Sequence, residues 1–184
     1  MIDPVLITAN AQPAVTLPEA KHQLRITDSY EDRYVKSLIS AATKLHEENT
    51  GRVVMHESWE EHTRVFHNCG MLLRKSPFFS LTSIKYTDTA AAEQTIASTV
   101  YTQHIFNTKA RVYLDVDQEW PDDVETDKLN AIRILYVAGE AATTTAVPED
   151  VKRKILMRVQ ELYDPEDKAT RDAVERLDWL NKAN

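Results

Sequence analysis

The sequence predicts an α+β protein: a small helical bundle made from both chain ends, with an antiparallel β insertion between helices two and three. Apolar residues recur at helical spacing in residues 16–51 and again from residue 148 onward. The stretch between them, residues 52–139, is a series of short segments rich in β-branched and aromatic residues. Because no helical crossover separates these segments, their strands are expected to pair antiparallel.

The first zone, residues 16–51, is predicted to form a helical hairpin. Two pairs have the spacing of a capping box and mark the helix starts: Thr16 with Glu19, and Asp28 with Glu31. The second helix is expected to be the longer one, to bury one apolar stripe and to end at a left-handed glycine cap. The apolar stripe consists of Val35, Leu38, Ile39, Ala42 and Leu45, and the cap is Gly51.

The second zone, residues 52–139, is divided into strands by its turn residues. Pro77, Asp88 and the alanine-rich residues 89–93 mark turns, and Gly139 ends the last strand. No linker separates this zone from the helices, so we expect a single domain over residues 1–184. The strand candidates are residues 53–66, 72–73, 81–86, 100–106, 111–114 and 131–137.

The third zone, residues 148–181, returns to helix. Pro148 suits the first helical position, and Glu149 and Asp150 complement the helix dipole in the first turn. This helix is expected to end near Tyr163, with a break at residues 164–165 and a further helix over residues 167–180. The inward-facing residues are expected to be Val151, Ile155, Val159 and Leu162, then Val174, Leu177 and Leu180.

Composition is typical of a globular protein that buries a core. The chain has 184 residues, of which 42% are hydrophobic and 28% are charged. No apolar run is long enough to span a bilayer, and the N-terminus lacks the basic and apolar regions of a signal peptide. Cys69 is the single cysteine, which excludes an internal disulfide framework and fits a reducing cytoplasm.

Negative charge is concentrated in residues 115–127, where seven residues are acidic and none is basic. The net charge of −7 argues against tight, static binding to DNA phosphates, for which proteins present a basic face. It does not argue against a tunnel that DNA slides through, where an acidic lining would repel the phosphates and prevent sticking. The pattern favours a solvated loop over a divalent-cation site, because the segment lacks the spacing of an EF-hand. The candidate lumen or subunit-contact residues are Asp115, Asp117, Glu119, Asp122 and Asp123.

The case for an enzyme rests on four residues: His56, His62, His67 and Cys69. Strand alternation predicts that His56 and His62 lie on one face and that His67 and Cys69 lie on the other, unless a bulge or turn intervenes. Their spacings match no zinc signature, and the chain has no glycine-rich phosphate loop. Surface histidines and a turn cysteine explain them better. We therefore predict no catalytic residue, no metal site and no cofactor.

Several short motifs occur in a characteristic order along the chain. Residues 15–21 read Val-Thr-Leu-Pro-Glu-Ala-Lys, and residues 48–52 read Glu-Asn-Thr-Gly-Arg. Val-Ala-Gly, Val-Pro-Glu and Leu-Tyr follow at residues 137–139, 147–149 and 162–163. This ordered set resembles the small head–tail connector (adaptor) proteins of long-tailed double-stranded DNA phages and related prophages and gene transfer agents. The resemblance covers nearly the whole chain.

The resemblance implies a structural virion protein and no enzyme. Such a connector binds the portal ring, extends the DNA channel and docks the next neck or tail component. Copies would form a ring matching the portal's symmetry, either alone or only on the portal, and double-stranded DNA would pass without sequence-specific binding. The implied location is the virion neck, reached by assembly in the host cytoplasm, with no membrane partner.

Portal contacts in the family come from the C-terminal helix and tail, which map onto residues 171–184 here. Trp179 and Leu180 would be the apolar anchors for portal docking. Packing of Trp179 into the helical core is an equal alternative.

The third helix also has a basic side, formed by Lys152, Arg153, Lys154 and Arg158. It would face phosphates, face solvent, or pair with acidic groups of a neighbouring subunit. The last option suits a ring, which needs two different complementary patches on each subunit, and it assigns Lys152 and Lys154 to subunit or lumen contacts. The rival functions are a non-viral acidic protein-binding module and, less favoured, a metal-dependent hydrolase.

Overall fold

The computed structural model describes residues 3–165 and 172–176. The chain divides into two compact units. One consists of Met1–Ala9 with His56–Gly139, and the other consists of Asn10–Met55 with Glu140–Asn184. The β insertion and the helical zones predicted from the sequence therefore correspond closely to separate units. Each is described by itself.

The helical unit brings together segments from both parts of the chain. Its helices are α1 (Leu17–Leu24), α2 (Asp32–Thr50) and α3 (Glu149–Tyr163), and a short 3₁₀ turn at Thr144–Ala146 precedes α3. Each of the three helices contacts the other two. Their apolar faces bury one cluster, which includes Val15, Val35, Ile39, Ala42, Val151, Ile155 and Val159.

The helix ends follow from local hydrogen bonds. Thr16 caps α1 through the predicted capping box with Glu19, and Gly51 ends α2 in a left-handed conformation with φ of 66°. The second predicted capping box is wrong. Asp28 accepts a hydrogen bond from the Tyr30 N–H, two residues on, so the chain first makes a turn and α2 begins only at Asp32.

Within the described residues, the strands of the β unit form two antiparallel sheets. Their order is β1-β2-β8-β4-β5 in the larger sheet and β3-β7-β6 in the smaller one. The strands are β1 (Val5–Thr8), β2 (Glu57–Thr63), β3 (Met71–Leu73), β4 (Phe78–Thr87), β5 (Glu93–Thr95), β6 (Tyr101–Phe106), β7 (Lys109–Leu114) and β8 (Ile132–Ala138).

Strand alternation determines the core of this unit. Along β8 the buried residues are Ile132, Ile134, Tyr136 and Ala138, with half-buried residues between them. They pack in a cluster with Leu73, Ile84 and Val112 from both sheets. A one-residue slip of β8 would move this buried set to the other face of the sheet, so its burial fixes the strand register.

A carboxylate is buried in the β unit and is fully paired. The Glu61 side chain is 8% exposed, and its Oε2 accepts hydrogen bonds from Arg74 Nε at 3.0 Å and Nη2 at 2.8 Å. Its Oε1 accepts from the Arg74 backbone N–H at 2.8 Å and from the Tyr136 hydroxyl at 3.1 Å. Burial and the adjacent carboxylate raise the pKa of Tyr136 well above its usual range. The network joins β2 and β8 to the residue that directly follows β3.

The α+β class predicted from the sequence is confirmed, with antiparallel strands between α2 and α3. Two strands are additional to those predicted: β1, and β5, which begins at the predicted turn. Residues 172–176 are helical and Val174 is buried at 3% exposure, as predicted. Leu177 and Leu180 lie outside the described residues. Across the part of the chain that the structure describes, no helix combines the length and apolar character needed to cross a bilayer.

Candidate functional site

Residues 115–127, which we call the acidic segment, connect β7 of the smaller sheet to β8 of the larger sheet. Six of its seven acidic side chains are exposed, and Glu125 is half-buried. The exposed set includes all five acidic residues predicted as lumen or subunit contacts: Asp115, Asp117, Glu119, Asp122 and Asp123. Among the described residues, no three His, Cys, Asp or Glu side chains group closely enough to hold a metal ion. The segment therefore presents negative charge to its surroundings.

The acidic segment is anchored at its middle by aromatic packing. Trp120 stacks on Phe66 with ring centroids 4.5 Å apart and planes 5° apart. Phe66 in turn meets Tyr86 edge-on at 6.4 Å. The three rings link the segment to β4 and to the turn after β2.

Backbone hydrogen bonds hold the segment at its two ends. The Asp115 N–H donates to Val100 at 2.9 Å, and the Asp123 carbonyl accepts from the Thr89 N–H at 2.8 Å. The Glu125 N–H donates to Thr87 at 2.9 Å. Burial, and then a hydrogen bond to the Asp123 carboxylate, raise the pKa of Tyr86. The carboxylates are thus displayed on an ordered scaffold, which the composition of the segment did not indicate.

On the basic side of α3, Lys152 is paired with carboxylates of its own unit. That residue is 7% exposed, and its Nζ lies 3.2 Å from Glu149 Oε1 and 3.5 Å from Glu19 Oε1. The Glu149 hydrogen bond and the nearby Glu19 raise the pKa of Lys152. Lys154 is more accessible, with its side chain 27% exposed and its Nζ 3.9 Å from Asp150. The two predicted lysines therefore differ: Lys152 is part of the helical packing, and Lys154 lies at the surface.

The histidines and Cys69 do not follow strand alternation, because a turn intervenes. A turn at residues 64–70 separates β2 from β3, so His62, His67 and Cys69 line one open pocket of about 580 Å³. His56 stacks instead on Phe79, with ring centroids 4.1 Å apart. His62 is engaged by the Glu60 carboxylate at 2.6 Å. Cys69 is exposed in the turn, as the sequence predicts.

The pocket contains charged residues that the sequence analysis did not select. Three arginines and one glutamate line it, namely Arg64, Arg74, Arg111 and Glu61. Its apolar lining includes Met71, Leu72, Leu129 and Ile134. No sequence motif connects these arginines, because they come from three separate parts of the β unit and meet only through strand pairing.

Gly70 shapes this pocket by letting Arg111 lie against the backbone. Its φ is +86°, and a Cβ at this position would lie 2.7 Å from Arg111 Cδ and 2.7 Å from Tyr113 Cε1. A side chain at residue 70 would therefore be strained and would displace Arg111.

The predicted portal-docking residues, Trp179 and Leu180, lie outside the described residues. Residues 172–176 are the described part of the C-terminal segment to which the resemblance assigns portal contacts.

Comparison with known proteins gives one family and a set of similar folds. Residues 14–72 match the model of the phage gp6-like head-tail connector protein family. This match covers the helical hairpin and the first part of the β insertion, and over these residues it agrees with the resemblance predicted from the sequence. No curated protein sequence matches the chain.

Three similar solved structures are particles or parts of particles of gene transfer agents (GTA). A chain of a native GTA virion matches with a TM-score of 0.74 at 19% identity, covering 95% of this chain and 94% of that one. A chain in the neck of an empty GTA particle, computed with C6 symmetry, has a TM-score of 0.73 at 18% identity over 90% and 86%. A chain in a native GTA neck, computed with C12 symmetry, has a TM-score of 0.62 at 18% identity over 87% and 83%. The similarity in fold to these structures therefore extends over both units of this chain.

Proposed function

We propose that this chain, a relative of the phage head–tail connectors, is a structural component of the neck of a phage or gene transfer agent particle. In this role it joins the portal ring, extends the DNA channel and provides the docking surface for the next neck or tail component. It acts by assembly and by surface charge, without catalysis. Its place is the virion neck, which it reaches from the host cytoplasm during assembly.

The main support is that a family match and a fold match agree. Residues 14–72 match the connector family, and the fold similarity to neck and virion chains covers 87% to 95% of this chain. Fold alone does not determine function, but here the family match points the same way.

A ring of copies is the assembly that this role requires. Two of the similar structures are necks computed with C6 and C12 symmetry. A closed ring uses heterologous contacts, in which one patch of each copy meets a different patch of the next. The portal's own symmetry would set the number of copies, and the ring would form either alone or on the portal.

Surface charge suits a passage for DNA. Exposed carboxylates repel phosphates, so those of Asp115, Asp117, Glu119, Asp122 and Asp123 that face the channel, and are not taken up by a subunit contact, would keep DNA from adhering to its wall. A protein that gripped DNA would present lysine and arginine to the phosphates and release counterions. We therefore propose that double-stranded DNA passes without sequence-specific contacts.

Portal docking is assigned to residues 171–184, with Trp179 and Leu180 as apolar anchors. A tryptophan next to a leucine supplies the large apolar area that anchors many protein interfaces. The helical start of this segment at residues 172–176 is compatible with a docking helix.

The experiment is to measure the mass of the purified full-length protein by native mass spectrometry, alone and with the portal protein encoded beside it. A ring alone, or a defined complex only with portal, would support the connector function. A monomer that ignores the portal would overturn it. Trp179→Ala should weaken the portal complex, and Trp59→Phe, a change in the β unit, serves as the control for an unrelated tryptophan.

A further inference from the structure

We infer that the pocket lined by Arg64 and Arg111 receives the tip of the acidic segment, Asp115-Val116-Asp117, from a neighbouring copy of this chain. The inference rests on the proposed ring and specifies one contact that closes it. Both surfaces belong to the β unit. The contact is heterologous, because the pocket of one copy meets the tip of the next, as ring closure requires.

The pocket is suited to an acidic partner that carries an apolar side chain. Its volume of about 580 Å³ lies in the range of protein binding pockets, and its lining combines apolar residues with three arginines and one glutamate. That glutamate, Glu61, is already paired with Arg74 at 2.8 Å. Within the described ranges, Arg64 and Arg111 have no carboxylate partner, so the pocket keeps two positive charges that an acidic ligand would neutralise.

The tip of the acidic segment has the complementary chemistry. Val116 is 80% exposed, and it stands between two exposed carboxylates, Asp115 and Asp117. The tip has a defined shape: the Val116 N–H donates to Asp115 Oδ1 at 2.7 Å, and Asp117 is left-handed with φ of 60°. A tight turn that presents an apolar side chain between two carboxylates fits an apolar pocket flanked by arginines.

The contact must join two copies because Val116 does not reach a pocket in its own chain. A side chain at 80% exposure is far from buried in its own unit. Leu129, beyond the acidic segment, is 56% exposed and lines the pocket, so the docked tip would also cover Leu129 of the receiving copy.

The alternative cation for this role was Lys152. Its Nζ is held within its own unit by Glu19 and Glu149 at 3.5 Å and 3.2 Å. The pocket arginines therefore replace Lys152 as the more accessible counter-charge for the acidic segment. Lys154 is the more accessible of the two lysines, with its side chain 27% exposed and its Nζ 3.9 Å from Asp150.

Cys69 provides a direct test, since it is exposed and lines the pocket while position 116 is the tip. In Val116→Cys, mild oxidation of the full-length protein with its portal should give a ladder of covalent oligomers on a non-reducing gel. Val116→Cys combined with Cys69→Ser should give no ladder. Thr126→Cys is the matched control, because residue 126 is exposed in the same segment but away from the tip.

Charge reversal tests the chemistry of the contact without disturbing the core, because Arg64 and Asp115 are exposed. In the Val116→Cys background, Arg64→Glu or Asp115→Lys alone should lower the cross-linked fraction by about tenfold or more, since each places like charges together. The double change Arg64→Glu with Asp115→Lys should restore much of it.

The outcomes separate this contact from the proposed function. A ladder that needs both cysteines and follows the charge pattern supports the contact. A portal complex of defined mass with no ladder, or with Cys69 cross-linked to another protein, overturns the contact and leaves the connector function standing. A monomer that forms no complex with the portal overturns both.

Discussion

Trp120 lies flat on Phe66, with the ring centroids 4.5 Å apart, and this stack holds the middle of the acidic segment against the turn after β2. The seven acidic residues around it repel one another, so the segment would extend into solvent without an anchor. The stack offsets that repulsion with apolar contact area. The defined acidic surface therefore depends on this aromatic pair together with the backbone hydrogen bonds at the two ends of the segment.

Replacing Trp120 with alanine should loosen the acidic segment and destabilise the β unit. We expect the free energy of unfolding to fall by roughly 3 kcal/mol, the lower end of the range for buried tryptophan, because Trp120 is half-buried. Urea denaturation gives the magnitude, and hydrogen exchange of the amides of residues 116–118 reports the loosening.

The control for this change is Trp120→Phe, which keeps an aromatic ring against Phe66. It also removes the indole N–H, which is buried and has no acceptor among the described residues. Its loss of stability should be clearly smaller than that of Trp120→Ala. Equal losses would mean that the stack is not the anchor.

Removing the buried carboxylate Glu61 should be among the most damaging changes in the β unit. Glu61→Ala leaves the Arg74 guanidinium and the Tyr136 hydroxyl without their shared partner, and we expect a cost of about 3–5 kcal/mol. Glu61→Gln keeps an acceptor in place and should cost less. Thermal unfolding of the two variants makes the comparison, and similar values for both would contradict the role given to the ion pair.

Glu19 should make the helical unit sensitive to acid. Burial alone would raise the pKa of Glu19, but hydrogen bonds from Thr16 at 2.6 Å and the nearby Lys152 lower it below its ordinary value. A carboxyl whose pKa is lower in the folded state stabilises the fold above its unfolded pKa, and this stabilisation is lost as the pH falls through the folded pKa.

The measurement is the free energy of unfolding of the natural chain and of Glu19→Gln, from about pH 7 down to about pH 3. The natural chain should be the more stable at neutral pH, and the gap should narrow as the pH falls. A gap that stays constant over this range would show that the Glu19 charge does not contribute.

The two lysines of α3 should respond differently to charge reversal. Lys152→Glu places a third carboxylate beside Glu19 and Glu149 at a position that is 7% exposed, so the denaturation midpoint should fall clearly. Lys154→Glu changes a more accessible side chain and should leave the midpoint nearly unchanged. Circular dichroism during urea titration is sufficient, and equal midpoints would contradict the burial of Lys152.

These results mean that Lys154 is the better residue for testing subunit contacts of α3. A loss of assembly in Lys152→Glu would not separate a broken interface from a weakened fold. A loss of assembly in Lys154→Glu, with an unchanged denaturation midpoint, would point to an interface.

The sequence was sufficient for the helical unit because its signals are local. The Thr16–Glu19 capping box, the Gly51 cap and the apolar stripe of α3 depend on residues within a few positions of each other. The predicted capping box at Asp28 was wrong because an aspartate makes the same kind of side-chain hydrogen bond in a turn as at a helix start. Strand β1 was missed because its apolar residues are exposed and show no alternation.

The candidate surfaces could be predicted only in part. The acidic segment is visible in the sequence because its residues are contiguous. The pocket is not, since Arg64, Arg74 and Arg111 meet through the antiparallel pairing of β3 with β7, which places Leu72 opposite Arg111. The burial of Lys152 was equally hidden, because its partner Glu19 lies on a different helix that is distant in sequence.

The most direct test of the connector function is cryo-electron microscopy of the particles that contain this chain, together with particles made in cells that lack it. We predict a ring of density between head and tail into which both units of the chain fit, and heads without attached tails when the chain is absent. Particles that keep their tails without the chain, or a neck whose density cannot accommodate its fold, would contradict the proposed function.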